Sequence, residues 1–144
     1  MSHKSRVRDL MTTEVITIGM DDTLQKARQI FHEKRFHHLV VMEEGKPVGV
    51  LSDRDLLRQL SPFVGVRMSE RPQDLATLQK RIHQFMTRRL ISIEPDATLA
   101  EAARLFMRQR VSCLPVIDAD GRLAGILTTR DLIRWVVIQE GAAI

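Results

Sequence analysis

Aromatic residues are scarce, at 4% of 144 residues with no tyrosine and a single tryptophan, and cysteine occurs once. So few rings argue against the interleaved stacking set by which single-strand nucleic-acid binders hold bases. The lone Cys113 has no partner for an internal disulfide and no Cys or His neighbours at zinc-finger spacing. That suits a reducing cytoplasm and a buried packing role. No apolar run approaches the roughly 18 residues of a membrane span. The start, MSHKSRVRDLM, lacks the apolar centre of a signal peptide and so argues against export. There is no GxxxxGK[ST] loop, and no Ser-His-Asp, Cys-His or paired-carboxylate arrangement can be placed. An enzyme is therefore not expected.

What is present is ordinary for a globular chain. Hydrophobic residues make up 44% and charged residues 28%, enough apolar material for one good core. Lys and Arg number 22 against 18 Asp and Glu, a net charge of +4 that mildly favours anionic partners. Two readings of that excess stay open: recognition of a phosphate, or a generally basic surface. A nucleic-acid interface built on Arg54, Arg58, Arg81, Arg88, Arg89 and Arg130 belongs to the second.

The main organisational fact is an internal repeat. Met11-Thr12 returns as Met86-Thr87, an offset of 86 − 11 = 75, and Val15-Ile16-Thr17-Ile18 returns as Leu90-Ile91-Ser92-Ile93. Asp21, Thr23-Leu24, Ala27 and Phe31 match Asp96, Thr98-Leu99, Ala102 and Phe106. One extra residue in the second copy's turn then shifts the offset, so Gly49-Val50-Leu51-Ser52-Asp53-Arg54-Asp55 meets Gly125-Ile126-Leu127-Thr128-Thr129-Arg130-Asp131 at 131 − 55 = 76. The copies span residues 7–60 and 82–137.

Each copy reads as βαββα. Val15–Ile18 and Leu90–Ile93 are short β-branched runs, hence strands. Leu24, Ala27, Ile30 and Phe31, and Leu99, Ala102, Leu105 and Phe106, recur at helical spacing. Asp21-Asp22-Thr23 and the pair Thr98/Glu101 supply the helix starts. Hairpins of Leu39–Met42 with Val48–Leu51, and of Leu114–Ile117 with Leu123–Leu127, follow, and a last helix closes each copy. Residues 61–81 read as an ordered helical connector, with Pro72 just inside a helix capped by Ser69 or Glu70. The expectation is one module over 1–144, an α/β (α+β) fold whose two pseudo-twofold related copies pack sheet to sheet.

The chemistry sits where a strand runs into a helix, in Gly-h-h-Ser/Thr-x-x-Asp, with h apolar. Unpaired N–H groups and the positive end of the helix dipole welcome an anion there. Ser52 and Thr128 can donate to a phosphate or ribose oxygen, Asp55 and Asp131 can accept from a ribose diol, and Arg54 and Arg130 can clamp phosphate. The same spacing is also a capping box, in which hydroxyl and carboxylate only finish the helix. His37 and His38 have Ser112 and Cys113 as counterparts, and read either as phosphate contacts or as a surface pair. Adjacent histidines on a strand point to opposite faces, so no metal site is read from them. Met11 and Met86 read as packing or as the lining of a ligand pocket.

Taken together, the two βαββα copies, the Met-Thr starts, the HHLVVME and SCLPVID strands and the two closing motifs resemble a tandem pair of cystathionine-β-synthase (CBS) domains, a Bateman module. The resemblance implies a non-catalytic regulatory module that needs no cofactor. It would bind an adenine nucleotide (AMP, ADP or ATP) or S-adenosylmethionine as regulatory ligand in clefts between the copies. It implies Asp55 and Asp131 as ribose ligands, with Ser52, Thr128, Arg54 and Arg130 at ribose or phosphate. Thr13, Val15, Ile16, His37 and His38 would join the Asp131 cleft, and Arg89, Leu90, Ile91, Ser112 and Cys113 the Asp55 cleft. It also implies a homodimer and a regulated partner outside this chain. The competing functions are the nucleic-acid surface and a dimerisation scaffold with empty clefts. Pro115 stands where the first copy has Val40, so the two clefts are not expected to be equivalent.

Overall fold

The computed structural model of the chain describes residues 5–34, 36–66, 70–86 and 88–141. Thr87 of the second Met-Thr pair and the cap candidate Ser69 lie outside them. After the short helix α1 (Val7–Leu10) come β1 (Thr17–Gly19), α2 (Leu24–Lys34), β2 (His38–Glu43), β3 (Lys46–Ser52) and α3 (Asp53–Gln59). The connector carries α4 (Pro72–Ala76) and two 3-10 turns, Thr77–Gln79 and Ile82–Gln84. The second copy supplies α5 (Leu99–Gln109), β4 (Cys113–Ile117), β5 (Leu123–Thr128) and α6 (Thr129–Gln139). The result is a mixed α/β chain. Among the described residues no helix is long and apolar enough to cross a membrane.

The helix starts follow the side chains at their first turns. Thr23 accepts from the Lys26 N–H at 3.3 Å, and Thr98 forms a full capping box with Glu101. The connector helix differs from expectation. Its cap is Arg71, because the Asp74 carboxylate accepts from the Arg71 N–H at 2.8 Å, and Pro72 then opens the helix. The Thr77 hydroxyl donates back to the Asp74 carbonyl at 2.7 Å, and the chain tightens into the 3-10 turn instead of continuing as one helix. Asp74 is itself buried. The Ser61 hydroxyl at 2.6 Å, then the Arg71 guanidinium, hold its carboxyl below the usual carboxylate range.

In the first copy β1 pairs parallel with β2, and the sheet order is β1-β2-β3. The turn between β2 and β3 places Glu44 and Gly45 at φ 49° and 77°, a left-handed pair suited to a tight hairpin. In the second copy the expected strand at Leu90–Ile93 is reduced to a single parallel bridge, Ile93 to Val116. The cause is Pro115. Its counterpart Val40 donates its N–H to the Ile16 carbonyl at 3.2 Å, and proline has no N–H to give. Only the pairing on the other side survives, with Ile93 donating to Pro115 at 3.1 Å and Ile117 donating to Ile93 at 2.9 Å.

Two compact units result, and each draws on both copies. One contains the chain up to Val15 and from Ile91 onward, with Gly45–Pro47; the other contains Ile16–Glu44 and Val48–Leu90. In the first unit, the Val7 and Arg8 N–H groups donate to the Ala97 and Pro95 carbonyls at 2.9 and 3.0 Å. In the second, the Ile82 and His83 N–H groups donate to Asp22 and Met20 at 2.9 and 3.0 Å. The opening segment of each copy is thus bonded to the body of the other. The cores follow suit. Val7 is buried with Ile93, Ala102, Phe106, Leu114, Val116 and Leu127. Ile82 is buried with Ile18, Leu24, Ala27, Leu39, Val41, Leu51 and Leu56.

Gly125 serves the same exchange. Thr12 and Ile126 trade both backbone hydrogen bonds at 2.9 Å, which brings the opening segment so close that a Cβ on Gly125 would lie 2.7 Å from the Thr12 carbonyl oxygen. An isolated glycine within a strand commonly marks such an approach. Because Ile82 is fully buried, Ile82→Ala is expected to cost about 2–5 kcal/mol of unfolding free energy. Urea unfolding followed by circular dichroism measures it. A loss under about 1 kcal/mol would show that this segment is not an integral part of the core.

Candidate functional site

At both strand-to-helix junctions the capping reading is realised. Ser52 has extended backbone (φ −95°, ψ 160°), its hydroxyl accepts from the Asp55 N–H at 3.1 Å, and the Asp55 Oδ2 accepts from the Ser52 N–H at 3.0 Å. Thr128 and Asp131 repeat the arrangement at 3.3 and 2.8 Å, and the Thr128 hydroxyl lies 3.0 Å from the Asp131 Oδ2. The cap engages Oδ2 in each case. An ionised carboxylate offers about four acceptor positions over two oxygens, so Oδ1 remains for other work. The Oδ1 of Asp55 is 3.9 Å from the Arg58 guanidinium, and the side chain is 46% exposed. Capping therefore orients the aspartates without using them up.

The first helical N–H of each junction reaches back to the residue before the neighbouring strand. Asp53 donates to the His37 carbonyl and Thr129 to the Ser112 carbonyl, both at 3.0 Å. The side chains beside the two aspartates consequently differ. In the first copy the His37 Nδ1 lies 2.9 Å from the Asp53 Oδ2; a carboxylate only accepts, so the imidazole is the donor. Burial pushes the His38 imidazole below its ordinary value, helped by His37 and opposed by Asp53 and Asp55. In the second copy Cys113 pairs with Thr128 across the β4–β5 ladder. Burial, with the Asp131 charge adding to it, pushes that thiol far above its usual range and keeps it a protonated, packed side chain.

The remaining candidates distribute by unit. Thr13 and Val15 follow the Thr12–Ile126 pairing and lie in the unit that holds Ser112, Cys113, Thr128, Arg130 and Asp131. Arg89 and Leu90 lie in the unit that holds Ser52, Arg54 and Asp55. His37 and His38, expected at the Asp131 cleft, lie in that same unit, and Ser112 and Cys113, expected at the Asp55 cleft, lie with Asp131, because the first N–H of each closing helix bonds to the residue before the second strand of its own copy. Ile16 and Ile91 fall in the opposite units from their sequence neighbours Val15 and Leu90, each half-buried against the local core. Arg54 and Arg130 are exposed on the first turns of α3 and α6. Two participants escaped the reading of the sequence. Gly125 carried a signal, as an isolated glycine in a strand. Asp53 carried another: it is an acid inside the closing motif where the second copy has Thr129.

Comparison with known proteins fits this architecture. The CBS domain family model matches residues 7–62 and 82–138. A CBS domain-containing protein of Dictyostelium discoideum is 33% identical over 136 residues, covering 93% of this chain and 92% of that protein. An uncharacterized protein of Methanocaldococcus jannaschii is 30% identical over 144 residues, and there the chain spans only 34% of the relative's length. Among solved structures, CBSX2 in complex with AMP superposes with a TM-score of 0.75 at 29% identity, over 94% of this chain and 98% of that one. The CBS domain pair of the protein MJ0100, in complex with 5′-methylthioadenosine and S-adenosyl-L-methionine, gives 0.78 at 25% identity, over 95% and 99%. With two matched segments, two βαββα-type copies and two capped Ser/Thr-x-x-Asp junctions, this chain belongs to the CBS domain family as a tandem pair.

Proposed function

We propose that the chain is a non-catalytic ligand sensor that binds an adenine nucleotide (AMP, ADP or ATP) or another adenosyl compound such as S-adenosylmethionine. The observation that carries this reading is the pair of cap-oriented, part-exposed aspartates, Asp55 and Asp131, each with one carboxylate oxygen beyond the cap. It is supported by the AMP and S-adenosylmethionine complexes of similar CBS pairs. The aspartates take the ribose hydroxyls, Ser52 and Thr128 a ribose or phosphate oxygen, and Arg54 and Arg130 a phosphate. Half-buried Val15, Ile16, Leu90 and Ile91 supply apolar surface for the adenine, and the backbone around Thr13 and Arg89 reads its edge.

Binding acts by population shift: a ligand that prefers one arrangement of the chain raises its share, and a partner protein in the cytoplasm reads the change. The chain acts as a homodimer on this reading, because Leu57 on α3 and Ile133, Val136 and Ile138 on α6 leave large apolar side chains exposed. Sedimentation equilibrium should return a dimer mass, and a monomer at working concentration would contradict that part.

Isothermal calorimetry tests the ligand. Micromolar binding of at least one of AMP, ADP, ATP and S-adenosylmethionine is expected. Asp55→Asn and Asp131→Asn keep an oxygen for the helix cap but lose the charge, so each should weaken one site by about tenfold or more. No heat with any of the four compounds would overturn the proposal, and binding that neither variant weakens would overturn the site assignment.

A further inference from the structure

Apart from the two closing motifs, the described residues form a recess of about 370 Å³ on α2, lined by Gln25, Arg28, Gln29 and His32. These four recur at helical spacing, so they make one stripe along the helix, and all are exposed. Leu24 and Ala27, on the same helix, are buried in the core. The connector meets the stripe at two points within the same compact unit. The Gln79 Nε2 donates to the Gln25 Oε1 at 3.3 Å. Gly65 stands at φ 82°, and a Cβ there would lie 3.4 Å from an Arg28 guanidinium nitrogen.

We infer that this recess is a second ligand site, for a small organic molecule that carries a carboxylate or phosphate beside a hydroxyl. It does not depend on the ribose-binding reading of Asp55 and Asp131. Charge decides the class. Among the described residues Arg28 makes no hydrogen bond or ion pair, while Lys26, a cation on the same helix, is tied to Asp22 at 3.2 Å. The acids that could compete for Arg28 are engaged as well: the Glu33 Oε1 accepts from the Gln29 Nε2 at 3.1 Å, and the Glu70 Oε2 accepts from the Gly65 N–H at 2.6 Å. The guanidinium therefore has its fork of donors available, and two oxygens of a carboxylate or phosphate match that fork. The amides add the rest. Gln25 uses its oxygen on Gln79 and keeps its NH2 to donate, whereas Gln29 uses its NH2 on Glu33 and keeps its oxygen to accept. An acceptor beside an anion site finds no partner on a bare ion and calls for a hydroxyl on the ligand. His32 ends the stripe with an imidazole, which can donate or accept. The volume fits the same class, at the low end of the roughly 300–1,000 Å³ of small-molecule pockets.

An NMR titration of the full chain, reading backbone amides at constant ionic strength, tests the site. The probes are citrate, a hydroxy-carboxylate, and glycerol 3-phosphate, a hydroxy-phosphate. At least one should give saturable shifts of the amides of residues 25–32 and of Gly65, with a Kd of about 1 mM or tighter. Whichever probe binds more tightly names the head group. Arg28→Gln should weaken that binding by about tenfold or more, the loss expected for hydrogen bonds made by a charged group. Arg28 is exposed, so the variant keeps the fold, which its own spectrum verifies. Lys26→Gln removes the same charge from the same helix outside the stripe and should leave the Kd within about twofold. Shifts that never saturate, shifts confined to other parts of the chain, or equal weakening by the two substitutions would overturn the inference. The adenosyl titrations read Asp55 and Asp131 separately, so failure here leaves the ribose reading standing.

Discussion

Two pairs of backbone hydrogen bonds hold the architecture to its form: Val7 and Arg8 onto the stretch before α5, and Ile82 and His83 onto the stretch before α2. Each pair fastens the opening segment of one copy to the body of the other, and each is completed by a buried apolar side chain, Val7 or Ile82. Neither copy is therefore a folding unit as it is written in the sequence. The exchange also decides which residues can share a site, because it carries Thr13 and Val15 to the unit of Asp131 and Arg89 and Leu90 to the unit of Asp55. Gly125 is required by the same constraint, since any side chain there would meet the Thr12 carbonyl.

On the proposed function the closing motif has two tasks that use different atoms. One carboxylate oxygen and the hydroxyl finish the helix, and the other carboxylate oxygen stays outside the cap. A ligand group aligned in advance loses less entropy on binding. On the proposed function, capping box and binding site are the same structure, so duplication of one duplicates the other. Divergence then acts on the neighbours. Pro115 removes a ladder bond and with it the first strand of the second copy, and Asp53 with His37 stands beside one aspartate where Thr129 and Ser112 stand beside the other.

Much of this was legible in the residues. The repeat, the helix starts at Thr23 and Thr98, the hairpins and the Ser/Thr-x-x-Asp caps all rest on side-chain chemistry that leaves a local signature. The exchange of opening segments was not legible, because it is made by backbone N–H and carbonyl groups that every residue possesses. Arg71 in place of Ser69 or Glu70 as connector cap was obscured by Asp74, whose carboxylate does the capping from within the helix. The loss of the strand at Leu90–Ile93 was readable in principle from Pro115, but only once the parallel pairing of Val40 with Ile16 identified which N–H was missing.

The central claim is that the outward oxygens of Asp55 and Asp131 hold a ribose. Crystals of the chain grown with AMP and with 5′-methylthioadenosine test it most directly. The expected result is ribose hydroxyls within hydrogen-bond distance of the Oδ1 atoms, with the caps to Ser52 and Thr128 intact. Density for either ligand away from both junctions, or a ribose turned from the aspartates, would contradict it.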